Sequence, residues 1–200
     1  MNTQALYVDL DRGPYVDLLG AANCWGVERD AKTYAGPGPV VAHPPCGPWG
    51  SLRKFCTKQD PECGPRAVEQ VRAFGGVLEH PQGSLLWRRC GLPRPFRSVP
   101  TFAPREWSLS VQQVDWGHPT VKPTWLLFVG VDPRSLPPMP PPGTPTHCLS
   151  GSAKPGDRGY TGRPVLWSRD AHLTPPAFAR WLVDAASSAK GYRLSPSKYG

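Results

Sequence analysis

The sequence has no apolar run near the roughly 20 residues needed to cross a bilayer, so a membrane-spanning role is excluded from the reading. Its opening, Met1-Asn2-Thr3-Gln4, lacks the basic and apolar regions of a signal peptide, and a cytoplasmic setting is expected. None of its six cysteines (Cys24, Cys46, Cys56, Cys63, Cys90 and Cys148) pairs at the Cys-x2-Cys spacing that marks a strong zinc site. In a reducing compartment they are expected to be free, catalytic or metal-bound, not disulfide-linked. Acidic residues are scarce, 15 against 23 lysines and arginines, giving a formal charge of +8 and a pI near 9.4. That imbalance favours a polyanionic partner such as DNA. The signature of disorder is missing too, since 39% of the residues are hydrophobic and eight are tryptophans.

Proline and glycine, by contrast, are abundant, at 27 and 21 in a chain of 200 residues. Because proline removes a donor and fixes φ, they predict short elements joined by stiff, irregular loops. The length suits one domain. Residues 1–131 are expected to form an α/β core, 132–164 a Pro/Gly-rich linker wrapping it, 165–190 a C-terminal helix packed on it, and 191–200 a flexible basic tail.

Residues 5–10 and 14–19 read as two short strands of a hairpin. Val40-Val41-Ala42 is a buried strand that delivers His43-Pro44-Pro45-Cys46 to a loop. Apolar residues at Ala67, Val68, Val71 and Phe74 recur at helical spacing, closed by Gly75-Gly76. A strand beginning at Val77 stops at Glu79-His80-Pro81, and Ser84 caps a short helix to Arg89. Residues 107–114 and 124–131 predict an antiparallel pair around Asp115-Trp116-Gly117-His118-Pro119. Pro175-Pro176 followed by Phe178, Trp181, Leu182 and Ala185 predicts the last helix.

Polar groups collecting at strand ends describe a site at the carboxyl edge of an α/β sheet. Three such ends carry chemistry: Cys46, Glu79 and the turn leading to Lys122. A thiolate is a strong nucleophile, and the double proline before Cys46 presents it rigidly. A carboxyl group can bond or protonate a ring nitrogen, and Lys122 can hold an exocyclic oxygen. His43, His80, His118 and Trp49 are secondary candidates.

These motifs resemble the cytosine-5 DNA methyltransferases. Pro44-Pro45-Cys46 is similar to that family's catalytic loop, and Val77-Leu78-Glu79-His80-Pro81 to its Glu-Asn-Val strand end. Asp115-Trp116-Gly117-His118-Pro119-Thr120-Val121-Lys122, running into Trp125-Leu126-Leu127-Phe128-Val129-Gly130, resembles a later signature. The resemblance implies a compact, Rossmann-like, methyltransferase-type sheet. It also implies a DNA pyrimidine-modifying transferase in which Cys46 attacks carbon 6, Glu79 bonds ring nitrogen 3 and Lys122 contacts the carbonyl oxygen. The base would be flipped out or presented in a single strand, with Trp49, Trp116 and the basic residues after Cys46 supporting the opened site.

The implied cofactor is S-adenosylmethionine. Its glycine-rich turn is not reproduced by Asp17-Leu18-Leu19-Gly20, and Glu28 is the candidate ribose-binding acid. The family's glutamine after the cysteine is Gly47 here, and no separate target-recognition domain is present. Tyr34 to Pro37, His43 to Cys46 and Gly75 to Pro81 are also similar to small proteins of bacterial viruses, implying a host-cytoplasmic setting. Two other readings stay open. One is a DNA-binding or interaction protein on the same fold without chemistry. The other is a zinc-stabilised module, with Cys46, Cys56, Cys63 and Cys90 as its fallback ligands.

Overall fold

The alternation of short apolar runs with helices produces a mixed α/β chain around one central sheet. The computed structural model describes residues 2–50, 53–56, 60–149, 161–166 and 172–190. Strands β1 (Gln4–Leu6), β2 (Cys24–Trp25), β3 (Val40–Ala42) and β4 (Gly76–Pro81) pair in parallel, in the order β2-β1-β3-β4. Val40, Val41 and Ala42 are fully buried, as expected for a parallel strand covered on both faces. The hairpin of β5 (Glu106–Gln112) and β6 (Pro123–Val129) completes six strands, with β6 antiparallel between β4 and β5.

The first twenty residues differ from expectation. Residues 14–19 do not pair with β1; they form α1 (Tyr15–Leu19). Pro14 preorganises the first turn, and a helix lets Tyr15 pack inward while Asp17 faces out. A hairpin would also have occupied the edge of β1 that the sheet needs for its parallel neighbours.

Helix α2 (Cys63–Phe74) buries Ala67, Val68 and Val71 and ends at Gly75, whose φ of 79° suits glycine. Helix α3 (Leu85–Arg89) is capped by the Ser84 hydroxyl, which accepts from the Leu86 amide at 3.1 Å. Helix α4 (Pro176–Ser187) buries Phe178, Trp181, Leu182 and Ala185. The result is three layers. On one face α2 and α3 pack Val68, Val71 and Leu86 against Leu78 and Leu127. On the other, α1 and α4 cover Trp107, Leu126 and Phe128. Trp107 stacks on Phe128 with ring centroids 4.3 Å apart and donates to the Val131 carbonyl at 2.8 Å.

Arg72 of α2 makes a bidentate pair with Glu106 of β5, both bonds 2.8 Å. Its side chains remain partly exposed. Glu106→Gln is therefore expected to cost only about 1 kcal/mol in urea unfolding; a loss several times larger would show that the pair is effectively buried.

In the described part of the 132–164 segment, Pro137 and Pro138 offer their carbonyls to the Trp181 indole at 3.1 and 3.3 Å. Thr146 and His147 donate their amides to Pro119. Strands β7 (Cys148–Leu149) and β8 (Val165–Leu166) form a separate parallel pair. The tail expected at 191–200 lies outside the described residues. No helix among the described residues is long and apolar enough to cross a membrane.

Candidate functional site

The strand order reverses between β1 and β3: the chain leaves β1 toward β2 on one side and returns to β3 on the other. Loops leaving such a pair diverge, and the crevice at their carboxyl ends is where open α/β sheets bind ligands. Here a cleft of about 300 Å³ is lined by Tyr7, Tyr15, His43, Cys46, Glu79 and Lys122. The structure thus gathers all three residues placed at separate strand ends by the sequence. Lys122 reaches the same edge because β6 runs antiparallel and begins where β4 ends.

The His43 amide donates to the Leu6 carbonyl at 3.0 Å, the last rung between β3 and β1. Pro44 and Pro45 then remove two donors from the loop, so it leaves the sheet. Cys46 turns the chain, its carbonyl accepting from the Trp49 and Gly50 amides at 3.0 and 2.9 Å. Burial raises the Cys46 thiol above its ordinary pKa and the Glu79 charge adds to this, while its own backbone amide and Lys122 oppose them. The resting group is a neutral thiol, not the thiolate of a cysteine–histidine ion pair.

Glu79 is the best-tied group of the site. One carboxylate oxygen accepts from His43 Nδ1 and the other from Gln113 Nε2, each at 3.0 Å. Gln113 also donates to the Thr124 hydroxyl at 3.0 Å. Burial works against the charge. The His43 hydrogen bond, then the charges of His43, Lys122 and His80, outweigh it and hold the carboxyl at about 2. Burial pulls Lys122 below its usual value, and Glu79 and Cys46 pull it back. The Lys122 ammonium donates to the His172 and Leu173 carbonyls at 3.3 and 3.4 Å.

With its Nδ1–H directed at the carboxylate, His43 presents Nε2 to the Tyr15 hydroxyl at 2.6 Å. Neither Tyr15 nor Gln113 stood out in the sequence. Tyr15 lay in an expected strand, and Gln113 is one polar residue among several, so only the fold reveals them.

Other candidates lie apart from the cleft. His80 is fully buried, and burial lowers its imidazole to about 4 against the charge of Glu79. The Pro45 carbonyl favours its charged form, yet neither ring nitrogen meets a partner with hydrogen-bond geometry. His118 is buried in its own turn, where Nδ1 accepts from the Thr120 amide at 3.1 Å. Trp49 is half-buried; its indole nitrogen end packs where a side chain on Gly64 would stand and is itself buried. Trp116 packs against Phe178 and Trp181. Cys63 opens α2 and Cys90 closes α3, and among the described residues no three His, Cys, Asp or Glu side chains gather into a metal site.

Glu28 lies at the rim of a second cavity, about 730 Å³, which shares Tyr7, Val8, Asp9 and Pro45 with the cleft. The tetrapeptide Tyr-Val-Asp-Leu occurs twice, at 7–10 and 15–18. The first copy follows β1 into this cavity, whereas the second lies in α1. Tyr7, between the two spaces, holds a positive φ of 60°, a strained conformation typical of functional sites. Comparison with protein-family models, with curated proteins and with solved structures gives no match.

Proposed function

We propose that this protein modifies a pyrimidine of DNA, with Cys46 as the nucleophile. The observation that carries the reading is the meeting of Cys46, Glu79 and Lys122 in one cleft at the strand-order reversal. A mostly parallel sheet with its crevice at that point supports a Rossmann-like, methyltransferase-type core. The polar groups match a cytosine edge. An ionised Glu79 accepts from an amino group and a protonated ring nitrogen, and Lys122 donates to a carbonyl oxygen. Thymine would set a carbonyl against the carboxylate.

Addition of the Cys46 thiol places sulfur on carbon 6 and its proton on ring nitrogen 3, leaving carbon 5 nucleophilic. Glu79 accepts the N–H formed on ring nitrogen 3 and so stabilises the positive charge that develops there in the transition state of addition. The second cavity suits the implied cofactor in size. Asp9 and Glu28 offer carboxylates for ribose hydroxyls and for a cationic centre. The loop after β1 offers no glycine-rich cradle: a side chain at Gly13 would stand 2.8 Å from the Asp9 carbonyl, so the turn closes on itself. S-adenosylmethionine, when bound, supplies an electrophilic methyl group.

A DNA oligonucleotide carrying 5-azacytosine, whose carbon 6 traps thiols without a cofactor, tests the reading. The wild-type protein is expected to form a covalent adduct seen by intact mass, and Cys46→Ala none. Identical nucleoside composition in DNA from cells expressing either protein would sink the idea. The neutral resting thiol favours one rival, a DNA-binding protein without chemistry. It would bind with steep salt dependence, lose nothing in Cys46→Ala and form no adduct.

A further inference from the structure

We infer that Tyr15 and His43 form the acid–base pair of this site, with Tyr15 taking the proton that leaves carbon 5 of the base. The inference rests on the pyrimidine-modifying reading and adds to it a residue that neither the motifs nor their spacing indicated.

The pair is built from three elements. Tyr15 comes from α1, His43 from the loop after β3, and Glu79 from β4. The hydrogen-bond chain is continuous: Gln113 donates to Glu79 at 3.0 Å, His43 Nδ1 donates to Glu79 at 3.0 Å, and the Tyr15 hydroxyl meets His43 Nε2 at 2.6 Å. The Tyr15 and His43 rings touch, with centroids 5.2 Å apart. Both residues line the cleft that holds Cys46, yet Tyr15 is only 2% exposed. A buried phenol pointing at a histidine that is itself fixed by a carboxylate has its donor and acceptor roles assigned in advance.

The chemistry needs such a group. Once carbon 5 has accepted an electrophile, it carries both the new substituent and its original hydrogen. Restoring the aromatic ring requires removal of that hydrogen as a proton. The carbon–hydrogen electron pair then re-forms the carbon 5–carbon 6 double bond and expels Cys46 as thiolate. In the proposed step the Tyr15 oxygen receives this proton while its own passes to His43 Nε2. The resulting imidazolium is paired with the Glu79 carboxylate. The proton on ring nitrogen 3 returns to the Cys46 thiolate, and the one held by His43 leaves to water. One proton is released per turnover, and every bond broken is accounted for.

Burial, followed by the charges of Glu79 and Cys24, raises the Tyr15 phenol well above its ordinary pKa. A free tyrosinate would therefore be too costly to wait in the cleft. Concerted passage to His43 avoids it.

The test uses exchange of the carbon 5 hydrogen for deuterium in a cytosine oligonucleotide, a reaction that needs thiol addition and an acid–base group but no methyl donor. The full-length wild type is expected to catalyse exchange, and Cys46→Ala to abolish it. Tyr15→Phe and His43→Gln are expected to slow exchange at least about 100-fold, while in Tyr15→Phe, which leaves the His43–Glu79 contact in place, the 5-azacytosine adduct forms at a rate within about threefold of wild type. Exchange at the wild-type rate in Tyr15→Phe overturns the inference and leaves the reading of Cys46 intact. Loss of adduct and exchange together in Tyr15→Phe also overturns it, because the ring would then merely support the cleft. A wild type that forms no adduct and shows no exchange overturns both.

Discussion

Glu79→Gln is expected to lower turnover about 1,000-fold or more and to flatten the acid limb of the stability profile. The amide keeps the size of the carboxylate but not its charge, so it neither fixes the His43 tautomer nor stabilises an imidazolium. Stability follows from the same environment. The folded carboxyl sits at about 2 against an ordinary value of 4.5, and its side chain is only 12% exposed. A depressed folded pKa contributes stability that is fully present above the unfolded pKa and is lost as pH falls through the folded one. The contribution is about 3 kcal/mol, lost between about pH 5 and pH 2. Urea unfolding across that range should show the difference between wild type and Glu79→Gln shrinking as the pH falls. Parallel profiles would mean that the carboxylate is not selectively stabilised in the fold.

The largest effect on folding is expected at Gly76, where β4 begins. Its φ is 118°, a region that side chains rarely adopt, and an added Cβ would stand 2.0 Å from the Val40 carbonyl oxygen and 2.7 Å from its amide nitrogen. Val40 is the residue it pairs with across β3. Backbone strain alone costs about 1–3 kcal/mol. The overlap cannot relax without parting β3 from β4, so Gly76→Ala should lose at least about 4 kcal/mol, much of a typical domain's stability. Gly83→Ala is the control, because Gly83 has a φ of 81° but no atom within 4 Å of an added Cβ. It should lose about 1 kcal/mol. Equal losses at the two positions would show that conformation, not the contact with β3, decides the cost.

Much of this architecture was legible before any coordinates. Helices α2 and α4 carry apolar residues at helical spacing behind a proline, α2 closing on glycine, and the β5–β6 pair flanks a tight polar turn. The opening was legible only in part: the strand expected at 5–10 shares residues 5 and 6 with β1, but its end and the helix after it were hidden, for two reasons. A parallel strand buried on both faces loses the alternation that identifies strands, and β1 is only three residues long. A five-residue helix such as α1 is too short to show a period, and its Tyr15, Val16 and Leu18 fit a strand equally well. In the site, Cys46, Glu79 and Lys122 were recognisable because each ends or begins an apolar run. Tyr15 and Gln113 acquire their roles only through partners distant in sequence. Local pattern likewise cannot say which copy of Tyr-Val-Asp-Leu follows a strand of the sheet.

Lys122 is steadied by the carbonyls of His172 and Leu173, and the same cleft is walled on its other side by residues 13–15. The Cys46 thiol sits between segments separated by nearly the whole described sequence. No amino-terminal fragment therefore owns a finished site. As the polypeptide emerges from the ribosome, Cys46 and Glu79 can take their places early, but the lysine stays untethered until the segment ahead of α4 arrives. Completion of the cleft thus waits for residues 172–173, and a chain cut short of them lacks the carbonyls that hold Lys122.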